Sequence, residues 1–281
     1  MSVRRFMGAL AATVLATGLT VAGVTTPASA ASSVPRFDHV VLVMFENHAN
    51  TQITSSSAPY FTSLASQGAK FTQSFAITHP SEPNYLALFS GSTQGLTSDA
   101  CPRNFSGTNL GAQLIGAGFS FKGYSESMPS NGYTGCTSGE YARKHNSWVD
   151  FSNVPAASNL TYASFPSTFT NLPTVAFVTP NLCDDMHDCS VATGDTWLRT
   201  HLDPYAQWAK THNSLLIVTF DEDDSASGNN IYTSFVGAQV KIGSYSERVT
   251  HYTVLRTIEA WYGLAGINNA ASLSPILDAF V

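Results

Sequence analysis

Residues 40–47 read Val-Val-Leu-Val-Met-Phe-Glu-Asn, and residues 215–222 read Leu-Leu-Ile-Val-Thr-Phe-Asp-Glu. Each stretch is a nearly continuous apolar run, rich in β-branched residues, that ends in two polar side chains. Strands buried on both faces of a parallel sheet show this pattern, whereas a strand with one solvated face alternates apolar and polar residues. The two stretches therefore predict central strands of a mainly parallel sheet.

Similar apolar runs at residues 119–124 and 174–178 add two more predicted strands. Helices are predicted between and beside the strands, over residues 59–66, 84–89, 110–117, 195–210 and 251–261. This alternation is typical of an α/β layered fold. Residues 125–170 are rich in Ser, Asn, Tyr and Pro and have weak periodicity, so we expect long loops over the sheet there.

The first 30 residues have the features of a secretory signal peptide. Arg4 and Arg5 precede an apolar stretch, and Ala28-Ser29-Ala30 fits a small-residue cleavage site. We therefore expect an exported, extracellular protein whose mature chain, residues 31–281, forms a single domain. No later stretch approaches 18 uninterrupted apolar residues, so no transmembrane anchor is expected.

Charge is sparse in this chain and its balance is acidic. Charged residues make up 11% of the sequence, against roughly 25% in an average soluble protein. Without Arg4 and Arg5 of the leader, 11 basic residues face 19 acidic ones. Nucleic-acid binding needs clustered Lys and Arg to displace counterions, so a nucleic-acid partner is not expected.

The four cysteines predict two disulfides, because an even number in an exported protein is typical of a disulfide framework. Three pairings are open, and proximity in sequence favours Cys183 with Cys189, which leaves Cys101 for Cys136. A metal–thiolate site is the competing interpretation.

Polar residues follow the predicted strands at their carboxyl ends. Glu46 and Asn47 follow the first, Asp221 and Glu222 follow the run at 215–220, and Asn181 lies just beyond the run at 174–178. Ligands of open α/β sheets bind at this edge, and converging oxygen donors suit a hard or borderline divalent cation. The alternative is that the acidic run is a solvated loop and Glu46 a capping residue.

Residues 79–85 read His-Pro-Ser-Glu-Pro-Asn-Tyr and precede an apolar, helix-like stretch. A serine at the start of a helix lies near the positive end of the helix dipole and near free backbone N–H groups. That position suits Ser81 as a nucleophile that attacks an anionic phosphorus centre. It equally suits a helix N-cap with no chemistry.

Five motifs in order resemble the secreted bacterial phosphoesterase family of acid phosphatases and phospholipases C, in the alkaline-phosphatase-like superfamily. They are residues 37–47, 79–85 and 181–189, the triplet at 220–222 and the pair His251-Tyr252, and the similarity runs from about residue 37 to 263. The resemblance implies a three-layer α/β sandwich with a mainly parallel central sheet. It also implies that residues 31–281 are a single phosphoesterase catalytic domain.

The resemblance further implies one metal ion and a serine nucleophile. The implied metal ligands are Glu46, Asn47, Ser81, Asp221 and Glu222. A cation beside Ser81 would lower the pKa of its hydroxyl, and attack on phosphorus would give a phosphoseryl intermediate.

Further site residues follow from the same family pattern. His145, Asn84 and His187 are predicted to contact the substrate phosphate, and His187 is the preferred proton donor to the leaving oxygen. His251 and Asp185 are candidates for a second cation site, although His251 also suits a helix cap. The site has fewer histidines than two-zinc relatives, which favours calcium or iron over zinc.

These features predict a secreted, metal-dependent phosphoric ester hydrolase that acts on small phosphate esters, a phospholipid head group among them. An acid phosphatase is favoured, since the larger phospholipase C members carry additional C-terminal sequence that is not found here. A phosphodiesterase of the phospholipase C type is the alternative. A non-catalytic secreted binding module is the rival from another class, and it gives no reason for Ser81 to accompany both strand-end metal pairs.

Overall fold

The computed structural model describes residues 1–2 and 34–281, so nearly all of the predicted signal peptide and its cleavage site lies outside the described residues. The unit described below belongs to the compact segment Ser32–Val281. Within the described residues, none of the helices combines the length and the apolar character needed to cross a membrane.

An eight-stranded sheet forms the centre of this unit. In chain order its strands are β1 (His39–Phe45), β2 (Ala69–Phe75), β3 (Phe121–Ser125), β6 (Asn159–Thr161), β7 (Val175–Thr179), β8 (Ser214–Phe220), β9 (Thr233–Gly237) and β10 (Gly243–Thr250), while β4 (Thr137–Ser138) and β5 (Tyr141–Ala142) form a separate hairpin. The spatial order is β10-β2-β9-β8-β1-β7-β3-β6. Only β9 pairs antiparallel with its neighbours, β2 and β8; the other pairs within the described sheet are parallel.

Five α-helices cover the two faces of the sheet: α1 (Pro59–Ala65), α2 (Ser81–Ser90), α3 (Leu110–Gly116), α4 (Val191–Ala209) and α5 (His251–Trp261). Alternate side chains of β1 divide between them. Leu42 and Met44 pack in the core with α2, α3 and α5, whereas Val41 and Val43 pack in the second core with α1 and α4. Each such side chain is at most 2% exposed, and its burial contributes about 1.5–3 kcal/mol. The predicted three-layer α/β arrangement is confirmed.

The sequence patterns located strands β1, β3, β7 and β8 and the five described helices, but they missed the other four strands of the sheet, β2, β6, β9 and β10. Residues 125–170, predicted as loops, also contain β6, which pairs with the end of β3. This part of the prediction is wrong because a strand of three residues is too short to show a periodic pattern. The strand β10 is largely exposed and rich in polar residues, so it lacks the apolar run that revealed the central strands.

Both disulfides are formed, between Cys101 and Cys136 and between Cys183 and Cys189. This is the pairing that proximity in sequence favours. The metal–thiolate interpretation is therefore wrong, since all four sulfurs are used in covalent bonds.

Candidate functional site

Two adjacent parallel strands bring the first two carboxylates together. In the pairing of β1 with β8, Phe45 lies opposite Phe220, so the next residues, Glu46 and Asp221, leave the sheet side by side. The backbone N–H of Asp221 donates to the carbonyl of Phe45 at 2.9 Å, and the N–H of Asn47 donates to Asp221 Oδ1 at 3.0 Å. Both carboxyl groups are fully buried.

Ser81 reaches the same point from helix α2, of which it is the first residue. Its Oγ donates to Glu46 Oε2 at 2.9 Å, and the side chain is almost fully buried. Tyr85 lies one helical turn further on, on the same face of α2. Its hydroxyl donates to the other oxygen of Glu46, Oε1, at 2.6 Å. Helix α2 therefore supplies two hydroxyl groups to one carboxylate.

Burial and mutual repulsion perturb these carboxyl groups strongly. Burial raises the pKa of Glu46 well above its usual range, and the nearby Asp221 and Asp185 raise it further. Burial raises the pKa of Asp221 to about 7, and burial together with the Asp221 charge raises the pKa of Glu222 to about 8. The protein has thus gathered several carboxylates in a place where their charges are unfavourable without a cation.

The arrangement of oxygen donors fits a bound cation. The buried Oδ2 atom of Asp221 has no hydrogen-bond partner among the described residues, which leaves one carboxylate oxygen in the middle of the cluster unsatisfied by them. Glu46, His145 and His187 also offer ligand atoms that all lie within 4.8 Å of one another. Oxygen-rich sites of this kind suit calcium and similar hard ions, while the imidazoles also admit iron or zinc.

His145 lies deep in the site between two carboxylates. Its Nε2 is 3.1 Å from Glu46 Oε1 and its Nδ1 is 3.0 Å from Asp185 Oδ2, while its ring stacks on that of Tyr85. Burial is the main cause of a pKa well below the ordinary histidine value, and the Lys144 charge lowers it further. Both Asp185 and His145 are fully buried. Through His145, which contacts both Glu46 and Asp185, the structure connects these two predicted residues with the carboxylate cluster.

His187 occupies the short loop closed by the Cys183–Cys189 disulfide and lies nearer to solvent. Its backbone N–H donates to Asp185 Oδ1 at 2.8 Å, which ties the loop to the buried part of the site. Its Nδ1 lies 2.6 Å from Asp188 Oδ1 and its Nε2 lies 3.1 Å from Lys144 Nζ. His187, the predicted proton donor, therefore lies at the site, between the carboxylate of Asp188 and the ammonium group of Lys144.

Asn84 has a different environment from the one predicted. Its Oδ1 accepts from the N–H groups of Ile77 and Thr78, and its Nδ2 donates to the Thr78 and Pro80 carbonyls and to Glu222. The amide is fully buried and its donors are already engaged, so the geometry does not support the predicted contact with phosphate. Asn84 instead holds the loop that leads into Ser81.

His251 is also engaged by the protein. Its Nε2 lies 2.7 Å from the Asp221 carbonyl oxygen, and burial lowers its pKa to about 4. The neutral ring donates this hydrogen bond, so Nε2 is not free to bind a second cation. The structure places His251 behind Asp221 as a support for the strand end.

The structure brings His79 to this place together with several side chains that sequence reasoning did not assign to the site: Tyr85, Asp99, Lys144 and Asp223. His79 Nδ1 lies 3.0 Å from Glu222 Oε2, and its Nε2 lies 3.2 Å from Asp223 Oδ1. The acidic run after β8 is therefore not a solvated loop at its start, since Glu222 and Asp223 are buried. A helical spacing of four from Ser81 was a usable signal for Tyr85, whereas nothing in the sequence singled out Asp99.

We define two parts of the site. The site floor comprises the buried side chains Glu46, Ser81, Asp221 and Glu222, which follow strands β1 and β8 or begin helix α2. The site rim comprises four partly exposed side chains, His79, Asp99, Lys144 and His187, whose exposed fractions lie between 20% and 38%. A substrate entering from solvent therefore meets the rim first and the floor second.

Comparison with known proteins agrees with this geometry. Residues 51–265 match the model of the Phosphoesterase family. The chain is 50% identical over 276 residues to a phosphatidylinositol-3-phosphatase of Mycobacterium tuberculosis, a match that covers 97% of this chain and 92% of that protein. It is 32% identical over 225 residues to an acid phosphatase of Aspergillus fumigatus, covering 73% of this chain and 50% of the fungal one. The chain thus spans about half the length of that fungal relative.

Among solved structures, a protein of the alkaline phosphatase superfamily from Vibrio parahaemolyticus superposes with a TM-score of 0.61 at 12% sequence identity. The match covers 86% of this chain and 71% of the other. At this identity the likeness concerns the fold, and it confirms the alkaline-phosphatase-like architecture. The resemblance drawn from the five sequence motifs is confirmed by these matches together.

Proposed function

Because the chain belongs to the phosphoesterase family and is a phosphoric ester hydrolase, we propose that it is a secreted, metal-dependent phosphatase that hydrolyses phosphomonoesters through Ser81. The observation that carries the proposal is the meeting of a hydroxyl group with a cation-binding set of oxygens. Ser81 Oγ lies 2.9 Å from Glu46 Oε2, beside Asp221, whose Oδ2 has no hydrogen-bond partner in the described part of the chain.

The proposed cation is held by Glu46, Asn47, Ser81, Asp221 and Glu222, with calcium or iron preferred to zinc. When bound, it would offset the repulsion among these carboxylates, lower the pKa of the serine hydroxyl and attract the anionic ester. The raised pKa values of Glu46, Asp221 and Glu222 support this assignment, because burial, with nearby carboxylates in the case of Glu46 and Glu222, makes their ionised forms unfavourable without a cation.

The residues of the chain then carry out a two-step transfer. The Oγ of Ser81 forms a bond to phosphorus while the bond from phosphorus to the ester oxygen breaks, and the serine proton passes toward Glu46 Oε2, its present acceptor. The leaving oxygen takes up a proton, for which His187 on the site rim is the proposed donor. Water next attacks phosphorus and gives up a proton to His187, the bond from phosphorus to Oγ breaks, and Ser81 regains its proton from Glu46 as inorganic phosphate leaves.

The buried floor favours this chemistry in two ways. Helix α2 holds Ser81 in place, since all ten of its residues are buried and Tyr85 ties the same helix to Glu46. The N-terminus of α2 also directs its positive end toward the position where negative charge gathers. Positioned donors of this kind account for most of the catalysis of phosphoryl transfer.

The test is a comparison of two buried serines on the same helix. Ser81→Ala and Asp221→Ala should remain folded and lose at least 1,000-fold in turnover of p-nitrophenyl phosphate, an order of magnitude typical for loss of a nucleophile. Ser90→Ala, the control, removes a hydroxyl that contacts the Leu86 and Ser92 carbonyls and accepts from Gln94 Nε2, and it should keep its turnover because none of these groups belongs to the site. Full activity of Ser81→Ala would refute the assignment of the nucleophile.

Metal dependence is tested separately. Elemental analysis of the purified protein should find one metal ion per chain, and EDTA followed by exchange into metal-free buffer should abolish turnover. Addition of calcium, iron or zinc in parallel identifies the ion that restores it. Turnover that persists in protein shown to contain no metal would contradict this part of the proposal.

A phosphoinositide is the second candidate substrate, and the 50% identity to a phosphatidylinositol-3-phosphatase favours it. It is also a phosphomonoester, so the same floor and rim would act on it. Release of inorganic phosphate from vesicles that contain phosphatidylinositol 3-phosphate, compared with release from a soluble aryl phosphate, tests this. A phosphodiester panel with phosphatidylcholine tests the phospholipase C alternative.

We propose that residues 1–30 direct export and that residues 31–281 form the catalytic domain. The two disulfides in the described part of the chain support an oxidising compartment. Expression of the full chain in a bacterial host, followed by N-terminal sequencing of the protein in the medium, should give a chain that begins at Ala31. Retention of the whole chain inside the cell would contradict the proposal.

A further inference from the structure

Lys144 is a site residue that the chemistry above does not use. It lies in the short 3-10 segment Arg143–His145, and its Nζ is 3.1 Å from both Asp99 Oδ2 and His187 Nε2. Asp99 is fixed in turn, because its Oδ1 accepts the backbone N–H of Glu82, the residue after the nucleophile. Two of the three ammonium hydrogens are therefore engaged, and the third is free for a ligand.

The surroundings keep this ammonium charged. Burial by itself lowers the pKa of Lys144, but the Glu46 and Asp99 carboxylates outweigh it and raise the pKa above the usual lysine value. The side chain is 20% exposed, so the cation lies at the boundary between the buried floor and solvent. An anionic substrate that approaches the carboxylate-rich floor meets a positive charge at this boundary.

The contact between Lys144 and His187 fixes which nitrogen of the histidine ring carries the hydrogen. An ammonium group has donors only, so Nε2 of His187 accepts from Lys144, and Nδ1 carries the ring hydrogen and donates to Asp188 at 2.6 Å. In this arrangement Nε2 is occupied. A phosphoryl oxygen that takes the hydrogen bond from Lys144 would leave Nε2 free to take up a proton, which it must carry before it can donate one to the leaving oxygen.

We propose that Lys144 binds a non-bridging oxygen of the substrate phosphoryl group and thereby favours phosphomonoester dianions over phosphodiester monoanions. This inference rests on the proposed phosphatase function. A monoester presents three non-bridging oxygens and up to two charges, whereas a diester presents two and one. A fixed cation on the rim that binds this third non-bridging oxygen would favour the monoester, because a diester has no such oxygen.

The test compares Lys144→Met and Lys144→Arg with Lys210→Met. Lys210 follows helix α4 and contacts Gln67 and Gln207, outside the site, so it serves as the matched control. The readouts are kcat/KM for p-nitrophenyl phosphate and for bis(p-nitrophenyl) phosphate, the inhibition constant of inorganic phosphate, and the melting temperature.

For Lys144→Met we expect kcat/KM on the monoester to fall by about 10- to 100-fold, with a similar rise in the phosphate inhibition constant, since a charged hydrogen bond is lost. The diester rate should change less than threefold, so the monoester preference collapses. Lys144→Arg should restore much of the phosphate inhibition, and Lys210→Met should match the unmodified chain.

An unchanged phosphate inhibition constant in Lys144→Met would overturn the inference. So would an equal loss on both esters together with a lower melting temperature, which is the pattern of a merely structural residue. If the unmodified chain hydrolyses neither ester, the proposed function fails on its own. Calorimetric binding of inorganic phosphate to the unmodified chain and to Lys144→Met then decides the role of Lys144 independently.

Discussion

Removal of the cation should make the stability of the protein depend on pH in a characteristic direction. The pKa of Asp221 is raised to about 7 by burial, from an ordinary value of 3.8. A carboxyl group with a raised pKa stabilises the folded state in its protonated form. That contribution is complete below the ordinary pKa and is lost as the pH rises through the raised one.

The size of the effect follows from the shift. One pKa unit corresponds to about 1.4 kcal/mol, so Asp221 alone should cost the metal-free protein roughly 2–3 kcal/mol between pH 5 and pH 7. For a chain of this length, that loss lowers the melting temperature by about 5–10 °C. Glu222, whose pKa is raised to about 8 chiefly by burial and by the Asp221 charge, should add to this loss and extend it to about pH 8.

The assay is thermal unfolding of metal-stripped protein at pH 5, 6, 7 and 8, with and without the restoring ion. The bound ion should flatten the profile, because it stabilises the ionised carboxylates. Asp221→Asn serves as the control, since its amide keeps an oxygen for the Asn47 N–H and carries no titratable proton. A metal-stripped profile that is flat or rises from pH 5 to 8, or an Asp221→Asn profile with the same slope, would refute the reasoning.

Three further predictions address single contacts. Tyr85→Phe removes the 2.6 Å hydrogen bond to Glu46, and steady-state kinetics should show kcat lowered by about 10- to 100-fold with little change in melting temperature. Asn84→Ala leaves two backbone N–H groups of the preceding loop without their acceptor, so chemical denaturation should show that the free energy of unfolding falls by about 2–5 kcal/mol. A raised KM with unchanged stability would instead support the predicted contact of Asn84 with phosphate. In the double variant Cys183→Ser with Cys189→Ser, kcat should fall while the melting temperature changes little, because the disulfide closes a small loop and fixes the rim histidine His187. Equal kcat of the double variant and the unmodified chain would argue against that role.

The central strands were predictable because strands that are buried on both faces appear in the sequence as nearly continuous apolar runs. The ends of those runs also predicted where carboxylates would converge, since parallel strands share one edge. Glu46 and Asp221 meet there because of the register of β1 against β8. No local pattern specifies that register, so the sequence could not give the partners of each atom.

The rim was less predictable than the floor. Asp99 and His79 come from irregular segments and Lys144 from a single short 3-10 turn, where neither α-helical nor strand spacing relates one side chain to another. The surroundings of Asn84, for which a contact with phosphate was predicted, also depend on an irregular segment. Its position near Ser81 was visible in the sequence, but its role depends on the fold of the loop at residues 77–80, whose backbone groups occupy the amide.

The separation of floor and rim has a consequence for how such a protein diversifies. The floor is attached to regular elements that also build the core, so the backbone there can shift little without disturbing the packing of the core. The rim is attached to loops, where residues can be exchanged at little cost to the core. Descendants of one ancestral fold can therefore acquire new substrates by altering the rim while they inherit the reaction unchanged. Swapping the loops around residues 99, 144 and 187 between relatives is accordingly a practical route to enzymes with altered selectivity.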